Sequence, residues 1–278
     1  MAKPDPPSLS RLSINQATTR PQWSLREAIE GYAAAGVGAI SVWPEKLAEC
    51  GIAEARLMLD DHGMVVTSYC AGGLFASADQ PFGPRPLDAC RRLLDEAATL
   101  EAGCMVSVVT TLDAESKDLN DARRRVAESL QVLAAHAQAV GVPLALEPVH
   151  PMLAGDLCCI NTLGQANALC DALGDGVGVA VDVYHVWWDP DLEAEIRRAG
   201  DRILVFQVCD WLRTTTALRN DRGMMGDGVI DIGGIRRLIE ESGYRGYCDV
   251  EVMSERDWWR RPAEVVVATC VERFQKVC

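Results

Sequence analysis

Short apolar, β-branched runs alternate along this chain with longer stretches of amphipathic period. The runs cover residues 12–15, 37–43, 64–70, 104–109, 142–147, 177–184, 203–209 and 247–253. Their length and β-branched content predict buried strands. Helical periods lie between them. Residues 24–35 open with Ser24 and Glu27 at capping-box spacing and stop at Gly36. Residues 121–140 stop at Gly141, and residues 231–242 stop at Gly243. Several units repeat one device, a helix ending on glycine with a buried strand directly after it.

About eight such units in strict alternation imply parallel strands joined by right-handed crossovers. The fold class expected is α/β, a (β/α)8 TIM barrel with a parallel eight-stranded barrel. A chain of 278 residues is close to the roughly 250 of one such barrel. It is read as a single domain over 1–278, with the polar, proline-rich residues 1–9 as a loose tail. A doubly wound sheet is the alternative, but no Gly-x-Gly-x-x-Gly follows the first strand.

Composition narrows the partners. The formal net charge of −13 opposes a phosphate backbone, so no nucleic-acid partner is expected. There is no leader-like apolar run and no stretch of about 18 apolar residues, so neither export nor a membrane is expected. Eleven cysteines without a Cys-x-x-Cys pair suit reduced, buried thiols in a cytoplasmic protein.

In a barrel, chemistry gathers at the C-terminal strand ends. Glu147 closes Pro-Leu-Ala-Leu-Glu, Asp182 closes Val-Gly-Val-Ala-Val-Asp, Gln207 closes Ile-Leu-Val-Phe-Gln, and Glu251 closes Tyr-Cys-Asp-Val-Glu. Any one of these alone reads as a surface or capping residue. Together they place three acids and an amide at one mouth, with no lysine near any of them. Desolvated carboxylates need a counter-charge, and a bound metal supplies one. Oxygen donors favour Mg²⁺ or Mn²⁺ over Zn²⁺.

Of four histidines, His62 and His136 fall on helices and are read as structural. His150, in Glu-Pro-Val-His-Pro, is a candidate general base; the competing reading is a loop histidine that only packs. His185, three residues past Asp182, is placed to meet a ligand. The long segment after the seventh run carries Asp210, Trp211 and Arg213 as candidate substrate contacts, with Arg213 able to fork onto substrate oxygens. Gly226 and Gly228 permit close approach. Trp43, Trp187, Trp188, Trp211, Trp258 and Trp259 suit either a sugar-stacking wall or a subunit interface; a homo-oligomer is expected.

These motifs, strongest over residues 142–253, resemble the xylose isomerase-like barrels, the sugar phosphate isomerase/epimerase superfamily. The resemblance implies metal ligands at Glu147, Asp182, Gln207 and Glu251, with Glu147 and Glu251 also moving the proton. It implies substrate contacts at His185 and Arg213. Gln207 departs from the ketose 3-epimerases, which carry histidine there, and is similar to hydroxypyruvate isomerases. Glu-Pro-Val-His-Pro and the stretch from Gln-Val-Cys-Asp-Trp to Gly-Asp-Gly-Val-Ile-Asp also resemble large subunits of C-glycoside deglycosidases. Those are lyases that pair with a small β subunit and use a histidine after the metal glutamate as proposed base.

Two reactions on a keto-sugar or related carbonyl substrate are therefore expected. One is isomerisation or epimerisation through an enediolate; the other is elimination of an aglycone from a 3-oxo-glycoside. An apurinic endonuclease-like nuclease would need more histidines and a basic face. A noncatalytic sugar-binding protein would have no reason to bury three carboxylates.

Overall fold

The computed structural model describes residues 7–74, 86–109 and 117–278; the first six residues of the expected tail lie outside them. Eight parallel strands form the barrel: β1 (Leu12–Asn15), β2 (Ala39–Val42), β3 (Val65–Leu74), β4 (Met105–Val109), β5 (Leu144–Leu146), β6 (Val177–Asp182), β7 (Ile203–Val208) and β8 (Cys248–Val250). Each pairs with its neighbours in sequence, and β8 returns to β1 to close the circle. The chain is a TIM barrel.

Local chemistry explains the element ends. Ser24 accepts from the Glu27 N–H while the Glu27 carboxylate accepts from the Ser24 N–H, starting the helix Leu25–Ala34. The helix Leu119–Val140 starts two residues earlier than the apolar period suggests, because Asp118 caps it by accepting from Asn120 and Asp121. It ends on Gly141 at φ 76°, a left-handed turn that costs glycine little. The strand β5 is short because Pro143 brings no N–H to the ladder.

The pleat decides what enters the barrel. Cys70, Cys104, Val106, Ala145, Ala180 and Val205 form one buried cluster inside it. Side chains alternate along a strand, so the residues two beyond Ala145, Ala180 and Val205 also face inward, one layer higher. Those residues are Glu147, Asp182 and Gln207. On β8 the same step leads from the buried Asp249 to Glu251. The mouth is thus built on strands whose lower positions are already fixed by packing. The ladder holds it from the side as well: the Glu147 N–H donates to Ser107 O at 3.1 Å and the Glu251 N–H to Val208 O at 3.1 Å.

The lower interior is more polar than the branched aliphatic filling usual in such barrels. Ser13, Asn15, Ser41, Ser68 and Asp249 are all buried there. The eleven cysteines form no disulfide with one another, and ten of them are buried. Among the described residues, no helix is long and apolar enough to cross a membrane.

Candidate metal centre

Three carboxylates converge at the barrel mouth. Glu147, Asp182 and His185 offer donor atoms within 4.8 Å of one another. Glu251 joins them through a shared partner: Nη1 of Arg222 lies 2.8 Å from Asp182 Oδ2 and 3.0 Å from Glu251 Oε2. All five side chains are buried. Gln207 sits level with Asp182 on β6 and with Asp249 on β8. Its amide is fully buried, and neither Nε2 nor Oε1 has a hydrogen-bond partner.

Burial, reinforced by Glu251 and Asp182, pushes the Glu147 carboxyl well above the usual range. Burial also raises Glu251, to about 7, although Arg222 opposes the rise. Burial works against the charge on Arg222, but Asp182, Cys209 and Glu251 outweigh it and keep the guanidinium charged. Its planar face lies over the Tyr184 ring, 4.5 Å from the centroid.

A divalent cation fits this donor set on two counts. Three carboxylates against one guanidinium leave a formal charge of −2 when all are ionised, and a buried excess of that size needs a further cation. The unpaired Gln207 amide is the second count, since buried polar atoms without partners are rare in native proteins. The oxygens of Glu147, Asp182, Glu251 and Gln207 are hard donors of the kind Mn²⁺ and Mg²⁺ prefer.

His185 faces the same space in a different capacity. The His150 backbone N–H donates to His185 Nδ1 at 3.2 Å. Burial pushes the ring down to about 3, so it is neutral, and with Nδ1 accepting, the proton sits on Nε2. That nitrogen lies 3.6 Å from Glu147 Oε1 and 3.7 Å from Asp182 Oδ2. Arg222 Nη2 is 3.3 Å from it as well, but a neutral ring cannot accept at both nitrogens. The two carboxylate oxygens beside Nε2 favour a proton on that nitrogen, so Nδ1 keeps the accepting role. His185 therefore offers the mouth a donor instead of a lone pair.

His150 stands beside it. Its ring stacks on Trp211 at 4.8 Å and meets Trp188 edge-on at 5.7 Å. Nδ1 accepts from the Met152 N–H, and burial holds the ring below the ordinary imidazole range. Trp211 also packs on Tyr184 at 4.7 Å, so an aromatic wall connects His150 to the ring beneath Arg222.

The segment after β7 uses one of the expected substrate contacts for its own structure. After β7 the chain forms an antiparallel ribbon in which Asp210 pairs with Gly223 and Trp211 with Arg222. Arg213 lies two residues past Trp211 in the ribbon and is exposed. Arg222, on the returning strand, is buried against Asp182 and Glu251. Asp210 is tied to its own loop. Its carboxylate accepts backbone N–H groups from Trp211, Gly226, Gly228 and Ile230 at 2.8–3.0 Å, which pins the loop and uses up both oxygens.

A Cβ on Gly228 would overlap the Trp211 carbonyl and the Asp210 carboxylate. Gly228→Ala is therefore expected to displace the ribbon and lower kcat/KM at least about tenfold, with little change in far-ultraviolet circular dichroism. Full activity in that variant would show that the loop tolerates the displacement.

Two residues escaped the sequence reading. Arg222 lies fifteen positions beyond Gln207, and only the ribbon brings it back. Asp249 had a visible signal, since it precedes Glu251 by two and so shares its inward face.

Comparison with known proteins agrees with this architecture. A family model described as xylose isomerase-like TIM barrel matches residues 29–269. Inosose isomerase from Halalkalibacterium halodurans is 24% identical over 278 aligned positions, covering 96% of each chain. A crystal structure of a protein from Sinorhizobium meliloti 1021 is 48% identical, with a TM-score of 0.93 over 98% of this chain and 99% of that one. The IolI protein, solved with a bound zinc atom, superposes with a TM-score of 0.80 at 21% identity, over 96% of this chain and 99% of that one. The chain belongs to the xylose isomerase-like TIM barrel family.

Proposed function

We propose that this protein is a divalent-metal-dependent isomerase or epimerase of a keto-sugar or related carbonyl substrate. The observation that carries the reading is the buried excess of carboxylate at the mouth, with Glu147 grouped with Asp182 and His185, and Arg222 joining Asp182 to Glu251. The inosose isomerase likeness supports the reaction class, and the zinc of IolI supports a metal on this scaffold.

Glu147, Asp182, Glu251 and the carbonyl oxygen of Gln207 would hold the cation, with Mn²⁺ or Mg²⁺ favoured by the oxygen donors. When bound, the cation supplies Lewis-acid polarisation of the substrate carbonyl. Glu147 and Glu251 are the proton-moving pair. One removes the proton α to the carbonyl, leaving an enediolate, and the other returns a proton to the neighbouring carbon or the opposite face. His185 donates Nε2–H to a substrate oxygen. Arg222 offers its second guanidinium edge to the oxygen on which charge develops. Trp211 and Trp188 wall the cleft.

A second reading rests on His150, a neutral imidazole that lines the same mouth against Trp211. As base toward a 3-oxo-glycoside, it would drive elimination of the aglycone, with a small partner subunit completing the enzyme.

Incubation with candidate keto-sugars in D₂O and Mn²⁺ tests the first reading. Deuterium is expected at the carbon beside the carbonyl. No incorporation from any keto-sugar, with metal bound, would remove the enediolate scheme. Aglycone release that is lost in His150→Gln, without such exchange, would favour the lyase.

A further inference from the structure

Asp249 is a buried carboxylate in the barrel interior with no part in the chemistry above. Ser13 Oγ donates to its Oδ1 at 2.8 Å and Asn15 Nδ2 to its Oδ2 at 3.0 Å. The orientation of Asn15 is itself fixed. Its Oδ1 accepts from Trp43 Nε1 at 2.7 Å and from the Ala17 N–H at 3.0 Å, so its amide nitrogen must face Asp249. The Ser41 hydroxyl also bears on the carboxylate. Directly across the β7–β8 ladder, level with Asp249, is Gln207.

Burial raises the Asp249 carboxyl, while Ser13, Ser41, Asn15 and Gln207 oppose the rise; the Gln207 amide is thus close to Asp249, yet it makes no hydrogen bond of normal geometry. It has Asp249 on one side and Asp182 on the other. A carboxylate attracts the amide N–H₂ and repels the amide oxygen, so acids on both sides leave the oxygen without a donor. A cation among Glu147, Asp182 and Glu251 removes the conflict, because the oxygen then has something to face.

We infer that Asp249 is a positioning residue that draws the Gln207 amide nitrogen toward the barrel interior and thereby turns its carbonyl oxygen to the metal position. A symmetric amide becomes a one-directional oxygen donor, as an outer carboxylate fixes the ring of a metal-bound histidine. This inference rests on the metal-binding reading proposed above.

A double-mutant cycle on Mn²⁺ affinity, read by calorimetry on the folded full-length protein, tests it. Asp249→Asn keeps the shape but gives up one acceptor oxygen, and Gln207→Leu removes the amide. Each is expected to weaken Mn²⁺ binding about 10- to 100-fold. The double variant is expected to bind no more weakly than Gln207→Leu alone, because Asp249 acts only through that amide. Should Asp249→Asn fail to fold, as judged by its thermal transition, Asp249→Ser takes its place in the cycle. Wild-type affinity in the Asp249 variant, or losses that multiply in the double variant, would overturn the positioning role. If Glu147→Gln abolishes Mn²⁺ binding while the Asp249 variant binds normally, only this inference fails. If the wild-type protein binds no Mn²⁺, the metal-binding reading and this inference fall together.

Discussion

Arg222→Met is expected to give the largest loss of stability of any single change at the mouth. The guanidinium is buried and its Nη1 serves both Asp182 and Glu251. Removing one partner of a buried ion pair leaves uncompensated charge, which costs about 3–5 kcal/mol. At about 2–4 °C per kcal/mol for a chain somewhat shorter than this one, the metal-free variant should melt roughly 10 °C lower. Adding Mn²⁺ should recover part of that loss, since the cation takes over the two carboxylates. Activity should not recover. With no guanidinium to meet the developing charge, kcat/KM should stay down by about 10² or more. Arg222→Lys, which keeps the charge but not the fork, should fall between the two. Scanning calorimetry and steady-state rates, each with and without metal, check both parts. An unchanged melting point in metal-free Arg222→Met would mean that the guanidinium is not the counter-charge described.

Glu147→Gln and Glu251→Gln are expected to give the largest losses of activity. The substitutions preserve shape, and a buried amide is already tolerated next door at Gln207. Each variant loses a charged ligand and one member of the proton-moving pair. Proton transfer by a positioned side chain is worth about 10²–10⁴, so kcat should fall by at least about 10³ once the weakened metal binding is included. Stability should move the other way. In the metal-free protein three carboxylates crowd against one guanidinium, and neutralising one relieves that repulsion. Both variants are expected to melt above metal-free wild type yet gain less on adding Mn²⁺. Such an exchange of stability for function is common where a site holds unfavourable charge until its ligand arrives. Variants that melted lower than metal-free wild type, or kept activity, would argue against crowded, proton-moving acids.

The eight strands were legible because burial on both faces writes continuous apolar runs, and the glycine stops marked where helices hand over to strands. The mouth acids were legible for a related reason, since a carboxylate ending an apolar run has nowhere to go but the barrel end. The region beyond β7 was not. Arg222 was not singled out, because its pairing with Trp211 is a contact between residues eleven positions apart, and spacing alone does not reveal it. Asp210 suggested a substrate contact because it lies in the long segment after a buried strand, and nothing local announced the four backbone N–H groups that consume its oxygens. Asp249 was available from the two-residue alternation of β8, but its neighbour Glu251 drew the interpretation. Helix starts moved by a residue or two because caps such as Asp118 act ahead of the apolar period.

The central claim is that the mouth holds one divalent cation on its carboxylates. Stripping the protein with chelator, then titrating Mn²⁺ by calorimetry, tests this most directly. The account predicts one ion per chain for wild type and a large loss of affinity in Glu147→Gln, with a rise in melting temperature on binding that disappears in that variant. Absence of stoichiometric binding, or binding indifferent to Glu147→Gln, would contradict it.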